Sequence, residues 1–333
     1  MTSALEQAVR EAEGLGLELL RATPRRDGRL LLTLRTDSGV EVAGRWTGEK
    51  LQVFPYGQDE RLPALAALVR DGGEVVAHRA GRRAVVRHSG RFTKVLPVGK
   101  ARGIAETLTQ VAQWPGVVVP PVLGCTDQTV TLGALPGATL HEWLKEPRST
   151  AELAQAGARV GLAVRSLHRG SSVGALPHHD LAAELDVTLR WIELAERLTG
   201  TELPRPGNPA VAPKVTVGVP LHRDLHDKQI VLPQTSSDVG LLDLDLLAGG
   251  EAALDLANLL VHLELRARQG LASAEAVPAL SQAVLEAYAP SVETLSRMGT
   301  YAQLTRLRLA AVYAFRPADR PEAASLLLSD PLF

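Results

Sequence analysis

Two carboxylates and one amide, Asp224, Gln229 and Asp243, lie close together within residues 219–245. Apolar runs lead into and out of this set, and the polar residues 233–238 separate two of them. This pattern is typical of short strands joined by a tight turn, which would bring the three side chains towards one edge. One carboxylate could orient a hydroxyl group, and a second carboxylate with an amide oxygen would suit a hard cation. This combination predicts a phosphoryl-transfer centre.

The same stretch admits two other kinds of site when it is considered alone. His222, Asp224 and His226 alternate along the chain, and both residue types are zinc ligands, so the triplet would suit a metal-dependent hydrolase. The remaining ligands would come from Asp243, Asp245, Asp255 or His262. The pair Asp243 and Asp245 also has the Asp-x-Asp spacing of an aspartyl phosphatase, but its late position in the chain and Leu247 argue against that function.

The predicted elements change type near residue 138. Apolar periodicity predicts a helix over residues 3–20, and shorter runs predict a three-stranded meander within residues 29–55. Further strands are predicted at 74–78, 83–87, 92–97, 117–122 and 128–135, with one helix at 101–114. Helices follow at 150–169, 179–199, 252–269, 273–289 and 294–315, and the proline-rich residues 199–220 predict a loop. Strands followed by helices predict an α+β fold with a cleft between two parts.

Lys94 and Glu106 form a second candidate pair. Lys94 lies inside an apolar predicted strand, where an ammonium group is costly to bury unless it is paired. The helix that follows offers Glu106 as the partner. Upstream, the basic turn 79–82 is interpreted either as a phosphate-covering loop or as a plain hairpin, because Gly81 is its only glycine.

Composition excludes several classes of partner and site. The chain has 333 residues, enough for two lobes with a substantial core. A net charge of -1, without a dense run of lysine and arginine, argues against nucleic acid and membrane partners. Cys125 is the only cysteine, which excludes an internal disulfide and a cysteine-based zinc site. Because the N-terminus lacks a signal-peptide pattern and no run reaches membrane-spanning length, we expect a cytoplasmic protein. The oligomeric state is not indicated.

The stretch around Asp224 resembles the catalytic segment of the aminoglycoside phosphotransferase and choline kinase-like family. The residues that carry the resemblance are His222-Arg-Asp-Leu-His-x-x-Gln229, the later Leu-Leu-Asp243, and Asp255-Leu-Ala. Members of this family are small-molecule kinases with a protein-kinase-like fold. The family pattern usually carries Gly and Asn at the positions of Arg223 and Gln229, so this sequence departs from it twice.

The resemblance implies a bilobal, protein-kinase-like fold that binds ATP and Mg²⁺. Residues 1–70 would form a cap or an extension of the first lobe, residues 71–135 the nucleotide-binding lobe, and residues 136–333 the helical lobe with the acceptor site. The acceptor would be a hydroxyl group of a sugar, an amino sugar or an aminoglycoside-like antibiotic. Gln229 and the glycine-poor turn 79–82 also leave open a nucleotide-binding pseudokinase without turnover.

The resemblance also assigns roles to single residues. Asp224 would orient the hydroxyl and accept its proton, while Gln229 and Asp243 would hold Mg²⁺. Lys94, paired with Glu106, would contact the nucleotide phosphates. Backbone groups between two further residues, Gly133 and Leu135, would hold the adenine. Two more residues have structural roles in this interpretation: His222 fixes the loop through backbone hydrogen bonds, and Asp255 starts a helix or anchors a loop.

Overall fold

The computed structural model describes residues 2–171, 176–207, 218–234, 236 and 238–328. The predicted α+β order is confirmed, since two antiparallel sheets precede a mainly helical part. Residues 208–217 of the predicted proline-rich loop, and residues 235 and 237 of the predicted polar turn, lie outside the described residues.

The chain begins with one helix and a four-stranded antiparallel sheet. These are α1 (Ala4–Gly14), β1 (Leu17–Pro24), β2 (Leu30–Thr36), β3 (Glu41–Trp46) and β4 (Leu51–Val53), with the strands in chain order. The prediction of one helix over residues 3–20 and three strands was therefore incomplete. The helix ends early because Gly16 adopts a left-handed conformation (φ +69°), and the next residues enter β1.

A second antiparallel sheet has the strand order β5-β6-β7-β9-β8. Its elements, with two associated helices, are α2 (Ala64–Arg70), β5 (Glu74–Arg79), β6 (Arg83–His88), β7 (Arg91–Val95), α3 (Ala101–Val111), β8 (Val122–Cys125) and β9 (Thr129–Gly133). Most predicted strands are found, but the strand expected over 117–122 starts only at Val122. Lys94 lies on the central strand β7.

Short strands and longer helices form the rest of the described chain. The helices are α4 (Leu140–Trp143), α5 (Thr150–His168), α6 (Leu181–Thr199), α7 (Ala252–Arg268), α8 (Ala276–Tyr288), α9 (Val292–Tyr313) and α10 (Arg320–Ser325). The strands are β10 (Ala138–Thr139), β11 (His178–His179), β12 (Val219–Leu221), β13 (Ile230–Leu232), β14 (Gly240–Leu241) and β15 (Ala248–Gly250). The α7 helix is buried nearly all round and forms the centre of the main core.

The N-terminal sheet packs on the helical part of the chain. Leu5, Leu32 and Trp46 share one apolar cluster with Ile192 of α6 and Phe315 after α9. The backbone N–H of Ala22 donates to the carbonyl of Phe315 at 2.8 Å, which ties β1 to the end of α9. Among the described residues, no helix combines the length and the apolar character that a membrane crossing requires.

Candidate active site

The loop that carries Asp224 is fixed by one buried carboxylate. Asp255, fully buried on α7, accepts from the backbone N–H of His222 at 2.6 Å and from that of Arg223 at 2.8 Å. His168 Nε2 lies 3.1 Å from the same carboxylate. Burial raises the pKa of Asp255, but the contacts with His168 and His222 outweigh it and leave the pKa below its ordinary value. Asp255 therefore anchors the loop in ionised form.

Arg223 is held in a conformation that few residues with a side chain adopt. Its φ is +68°, in the left-handed region, where a non-glycine residue costs about 1 to 3 kcal/mol. This explains physically why the family pattern places a glycine there. The two hydrogen bonds to Asp255 hold the strained peptide, and the neighbouring Asp224 is thereby presented at a fixed position.

The His222 ring contacts backbone groups through both of its nitrogens, whereas the Asp224 side chain is partly exposed to solvent. His222 Nε2 donates to the carbonyl of Leu242 at 2.7 Å, and its Nδ1 lies 3.4 Å from the N–H of Asp224. Both ring nitrogens are thus used structurally, as the resemblance implied, and the hydrolase hypothesis loses its first ligand. The Asp224 side chain is 43% exposed and borders a cavity of about 1400 Å³.

Lys94 joins two carboxylates at the edge of the same cavity. Its ammonium group lies 2.7 Å from Asp243 Oδ1 and 2.6 Å from Asp245 Oδ1. Glu106, expected to be the partner of Lys94, is instead exposed on α3, so that expectation was wrong about the ion pair. The reason is helical phase: the α3 side chains that face the sheet are those of Ala101, Ala105 and Leu108.

The pKa values of Asp243 and Asp245 shift in opposite directions. Burial raises the pKa of Asp243, but Lys94 and Arg83 outweigh it and hold that pKa well below its ordinary value. Burial and the neighbouring Asp243 raise the pKa of Asp245. Arg83 lies 3.5 Å from Asp243 and 3.6 Å from Asp245, so it adds positive charge to the cluster. Asp243 is the carboxylate that remains firmly ionised.

Gln229 is placed beside Asp243 by strand pairing. It ends a 3₁₀ turn, and its carbonyl accepts from the N–H of Leu242 at 2.8 Å, next to Asp243. Its side-chain nitrogen lies 3.5 Å from His226 Nε2, a contact that does not use the side-chain oxygen. Asp243 and Gln229 thus offer the oxygen donors that Mg²⁺ takes in proteins.

A histidine and aspartate cluster lies behind the loop and was not predicted as a unit. Potential ligand atoms of His226, Asp227 and His262 lie within 4.8 Å of one another. The two imidazole rings, however, are stacked with centroids 4.7 Å apart and an interplanar angle of 21°. Since ring lone pairs lie in the ring plane, nearly parallel stacked rings do not converge on one ion. Asp227 instead bonds His141 at 2.6 Å and Arg266 at 2.8 Å.

We expect low pH to reduce the stability that the buried hydrogen bonds of Asp227 contribute. Burial raises the pKa of Asp227, but His141, His226 and Arg266 outweigh it and hold the pKa far below its ordinary value. A lowered folded-state pKa contributes stability above the unfolded-state value, about 4, and that contribution is lost as the pH falls below it. We expect Asp227→Asn to be less stable than the native protein at pH 7 and the difference to shrink towards pH 3. Urea unfolding across this pH range measures it; a constant difference would contradict the prediction.

The basic turn between β5 and β6 is supported from the N-terminal region. Asp59 accepts from the backbone N–H of Gly81 at 2.5 Å and lies 2.9 Å from His78 Nε2. Gly81 has a φ of +65°, and the side chain of Arg61 lies against it. The turn is therefore a fixed hairpin. Asp59 was missed in the sequence because nothing local links it to a turn twenty residues later.

In the segment predicted to hold the adenine, two backbone N–H groups already donate hydrogen bonds within the protein. The N–H of Gly133 donates to Pro121 at 2.9 Å, and that of Ala134 donates to Gly90 at 3.1 Å. In the part of the chain that the structure describes, Leu135 makes no backbone hydrogen bond, and its side chain packs against Gly240. Among the described residues, the backbone groups of Leu135 are therefore not used in internal hydrogen bonds.

Comparisons with known proteins identify the architecture. Neither protein-family models nor curated proteins match this sequence. Among solved structures, the aminoglycoside phosphotransferase APH(3'')-Id from Streptomyces rimosus has a TM-score of 0.54 and 21% identity, over 75% of this chain and 99% of its own. A glucosamine kinase has a TM-score of 0.51 and 15% identity, over 94% of this chain and 93% of its own.

A third similar structure is the amicoumacin kinase hAmiN, solved with AMP-PNP and Ca²⁺. Its TM-score is 0.54 at 12% identity, over 82% of this chain and 95% of its own. These identities are low, so the similarity concerns architecture. The resemblance seen in the catalytic segment is confirmed at that level: this chain has the α+β, protein-kinase-like fold of the aminoglycoside phosphotransferases and glucosamine kinase.

Proposed function

We propose that this protein is an ATP-dependent phosphotransferase that moves the γ-phosphate onto a hydroxyl group of a small molecule. The observation that carries the proposal is the contact of Lys94 with Asp243 and Asp245, at the edge of the cavity that Asp224 borders. A phosphate-binding cation, a carboxylate for a metal and a free carboxylate for a hydroxyl thus meet in one cleft. These are the groups that phosphoryl transfer needs, because the reaction depends mainly on positioning and charge neutralisation.

Each residue has a defined task in this mechanism. Asp224, exposed in a loop fixed by Asp255, accepts a hydrogen bond from the acceptor hydroxyl and aims its oxygen at the γ-phosphorus. As the new P–O bond forms, the bond to the ADP oxygen breaks and the hydroxyl proton passes to Asp224. Lys94 contributes positive charge to the phosphates, and the backbone of Leu135 is available to the adenine.

Asp243 and Gln229 fit a magnesium ion by their chemistry. A carboxylate kept ionised by nearby cations and an amide oxygen beside it match the preference of Mg²⁺ for few protein ligands and several waters or phosphate oxygens. When bound, the ion neutralises charge on the phosphate oxygens. Gln229 stands where the family pattern has Asn; its backbone pairs with Leu242, next to Asp243, and both residues line the same cavity.

ATP consumption against a panel of small alcohols tests the proposal. Purified protein is assayed with ATP and Mg²⁺ in the presence of sugars, amino sugars and aminoglycosides, and product formation is confirmed by mass spectrometry. Acceptor-dependent ADP formation is expected for at least one compound class. Thermal shift with ATP and Mg²⁺ runs in parallel. Nucleotide binding without turnover on any acceptor would favour the pseudokinase alternative and overturn the proposal.

Lys94→Met is expected to weaken ATP binding by about tenfold to a hundredfold. The estimate follows from losing hydrogen bonds between a charged group and the phosphates, worth about 1.5 to 3 kcal/mol. Isothermal titration with AMP-PNP and Mg²⁺ measures the Kd directly. Glu106→Gln is the matched control and should leave the Kd unchanged, because Glu106 is exposed and does not contact Lys94. An unchanged Kd for Lys94→Met would remove Lys94 from the nucleotide site.

A further inference from the structure

The cavity beside Asp224 is lined by an unusual number of arginines from separate parts of the chain. Arg21 comes from β1, Arg79 from the end of β5 and Arg316 from the segment after α9. Each is at least partly buried, and all three line the cavity that also holds Asp224 and Asp243. The N-terminal sheet, the second sheet and the helical part therefore each contribute at least one guanidinium group to the same space.

These three guanidinium groups lack carboxylate partners. Within the residues that the structure describes, no carboxylate oxygen lies within ion-pair distance of Arg21, Arg79 or Arg316. Arg316 Nε is buried without a hydrogen-bond partner, and its guanidinium carbon lies 4.0 Å from the ring centroid of Tyr313. A partly buried cation without an anion is unfavourable, and three of them around one cavity raise that cost.

The electrostatic consequences agree with this geometry. Burial, followed by repulsion from Arg316 and Arg79, lowers the pKa of Arg21 to about 9. Burial and repulsion from Arg83 lower the pKa of Arg79 to about 10. Guanidinium groups rarely shift this far, because they are normally paired or exposed. The described residues thus leave the three guanidinium groups without an ion-pair partner, although Asp243 and Asp224 act on Arg79 from a greater distance.

The acidic residues around the cavity are already paired or exposed. Glu18 and Glu41 contact Arg35 at the rim. Glu184 contacts His179 at 2.9 Å and Arg308 at 3.1 Å. Asp319 accepts from Gln269 Nε2 at 3.1 Å, and the side chains of Glu13 and Asp37 are exposed. Among the described carboxylates, an ammonium group inside the cavity would therefore meet mainly Asp224.

We propose that Arg21, Arg79 and Arg316 bind an anionic group, such as a carboxylate, phosphate or sulfate, on the acceptor. The inference rests on the proposed kinase function and narrows it: the preferred acceptor carries a hydroxyl for Asp224 and a negative charge for the arginines. A polycationic aminoglycoside fits this cavity poorly. Arg21 reaches the site only because the N-terminal sheet packs beside the helical part, which gives the extension a part in recognising the acceptor.

Malonate serves as the probe, with sodium chloride of equal ionic strength as the reference. Thermal unfolding is followed with and without malonate, in the absence and in the presence of saturating AMP-PNP and Mg²⁺. The proteins compared are the native chain, Arg21→Gln, Arg316→Gln and Arg35→Gln. Arg35 is the matched control, since it lines the same cavity but is exposed and already paired with Glu18 and Glu41.

The expected result is that malonate stabilises the native protein and Arg35→Gln, with or without nucleotide, and stabilises neither Arg21→Gln nor Arg316→Gln. Without malonate, these two variants should melt at or above the native temperature, because an unpaired buried charge has been removed. Equal responses in all four proteins would overturn the proposal. Loss of the malonate response on adding AMP-PNP would also overturn it, since the arginines would then bind nucleotide phosphates.

A second experiment measures turnover and tests the anion site independently of the kinase function. Acceptors are compared in sets in which one hydroxyl or hydroxymethyl group is exchanged for a charged group: glucose with glucosamine and glucuronate, and glycerol with glycerate. We expect kcat/KM to be at least tenfold higher for the anionic member, and Arg21→Gln to lose this preference while KM for ATP stays constant. If turnover is faster with the neutral or cationic acceptors, only the anion site is contradicted. If no acceptor is turned over but malonate still stabilises the protein, only the kinase function is contradicted.

Discussion

Asp224→Asn is expected to lower kcat by about 10²- to 10⁴-fold, the usual contribution of general-base assistance. The amide can still fill the space of the carboxylate but cannot accept the hydroxyl proton. KM for ATP should change little, because the residues assigned to the nucleotide, Lys94 and Leu135, are untouched. Steady-state assays with the acceptor found in the panel measure both constants, and circular dichroism checks that the variant is folded.

Asp71→Asn is a suitable control for this experiment. Asp71 is an exposed carboxylate after α2, outside the cavity, so kcat should remain native. If Asp224→Asn kept more than about a tenth of native kcat, Asp224 would not be the base, since even modest general-base catalysis exceeds tenfold. The loop around His222 would then have a different function.

Asp255→Ala is expected to cost about 3 to 5 kcal/mol in the free energy of unfolding, the usual effect of removing one partner from a buried charged pair. The substitution leaves the N–H groups of His222 and Arg223 without an acceptor and His168 without its carboxylate. It also releases the strain at Arg223 by letting the loop relax. Urea denaturation measures the stability, and kcat should fall together with it because Asp224 is no longer held in place.

The control for Asp255→Ala is Asp186→Ala on α6. Asp186 is exposed, so its replacement should change the unfolding free energy by no more than about 0.5 kcal/mol. A loss of less than about 1 kcal/mol in Asp255→Ala would show that the anchoring bonds are weak in solution, since even one buried unsatisfied group usually costs that much. The loop would then have to be fixed by His222 alone.

The local parts of this structure could be predicted from the sequence, because their signals are local. The apolar runs on either side of residues 233–238 predicted two neighbouring strands, which are β13 and β14. Apart from the helix predicted over residues 3–20, the helix bounds followed closely from apolar periodicity. The partner of Lys94 could not be found in this way, since Asp243 lies 149 positions further along the chain. The helical spacing of α3 did indicate this, because its buried residues are Ala101, Ala105, Leu108 and Val111, and Glu106 lies on another face.

Other features were missed because they arise only from tertiary packing. The start of strand β1 was assigned to the preceding helix, since Leu15 and Leu19 continue its apolar pattern, and only Leu15 and the left-handed Gly16 separate the two elements. The arginine cluster was missed because Arg21, Arg79 and Arg316 are far apart in sequence. Single arginines in a chain with a net charge of -1 give no signal until the fold brings them together.

The packing of the N-terminal sheet also restricts how the cleft can open. Kinases commonly admit and release nucleotide by rotating their lobes about a hinge. In this chain β1 is hydrogen-bonded to Phe315 and shares a core with α6, while Asp59 holds the turn at Gly81. The first seventy residues thus act as a tether between the second sheet and the helical part. Rotation must therefore either stretch this tether or move it as a unit.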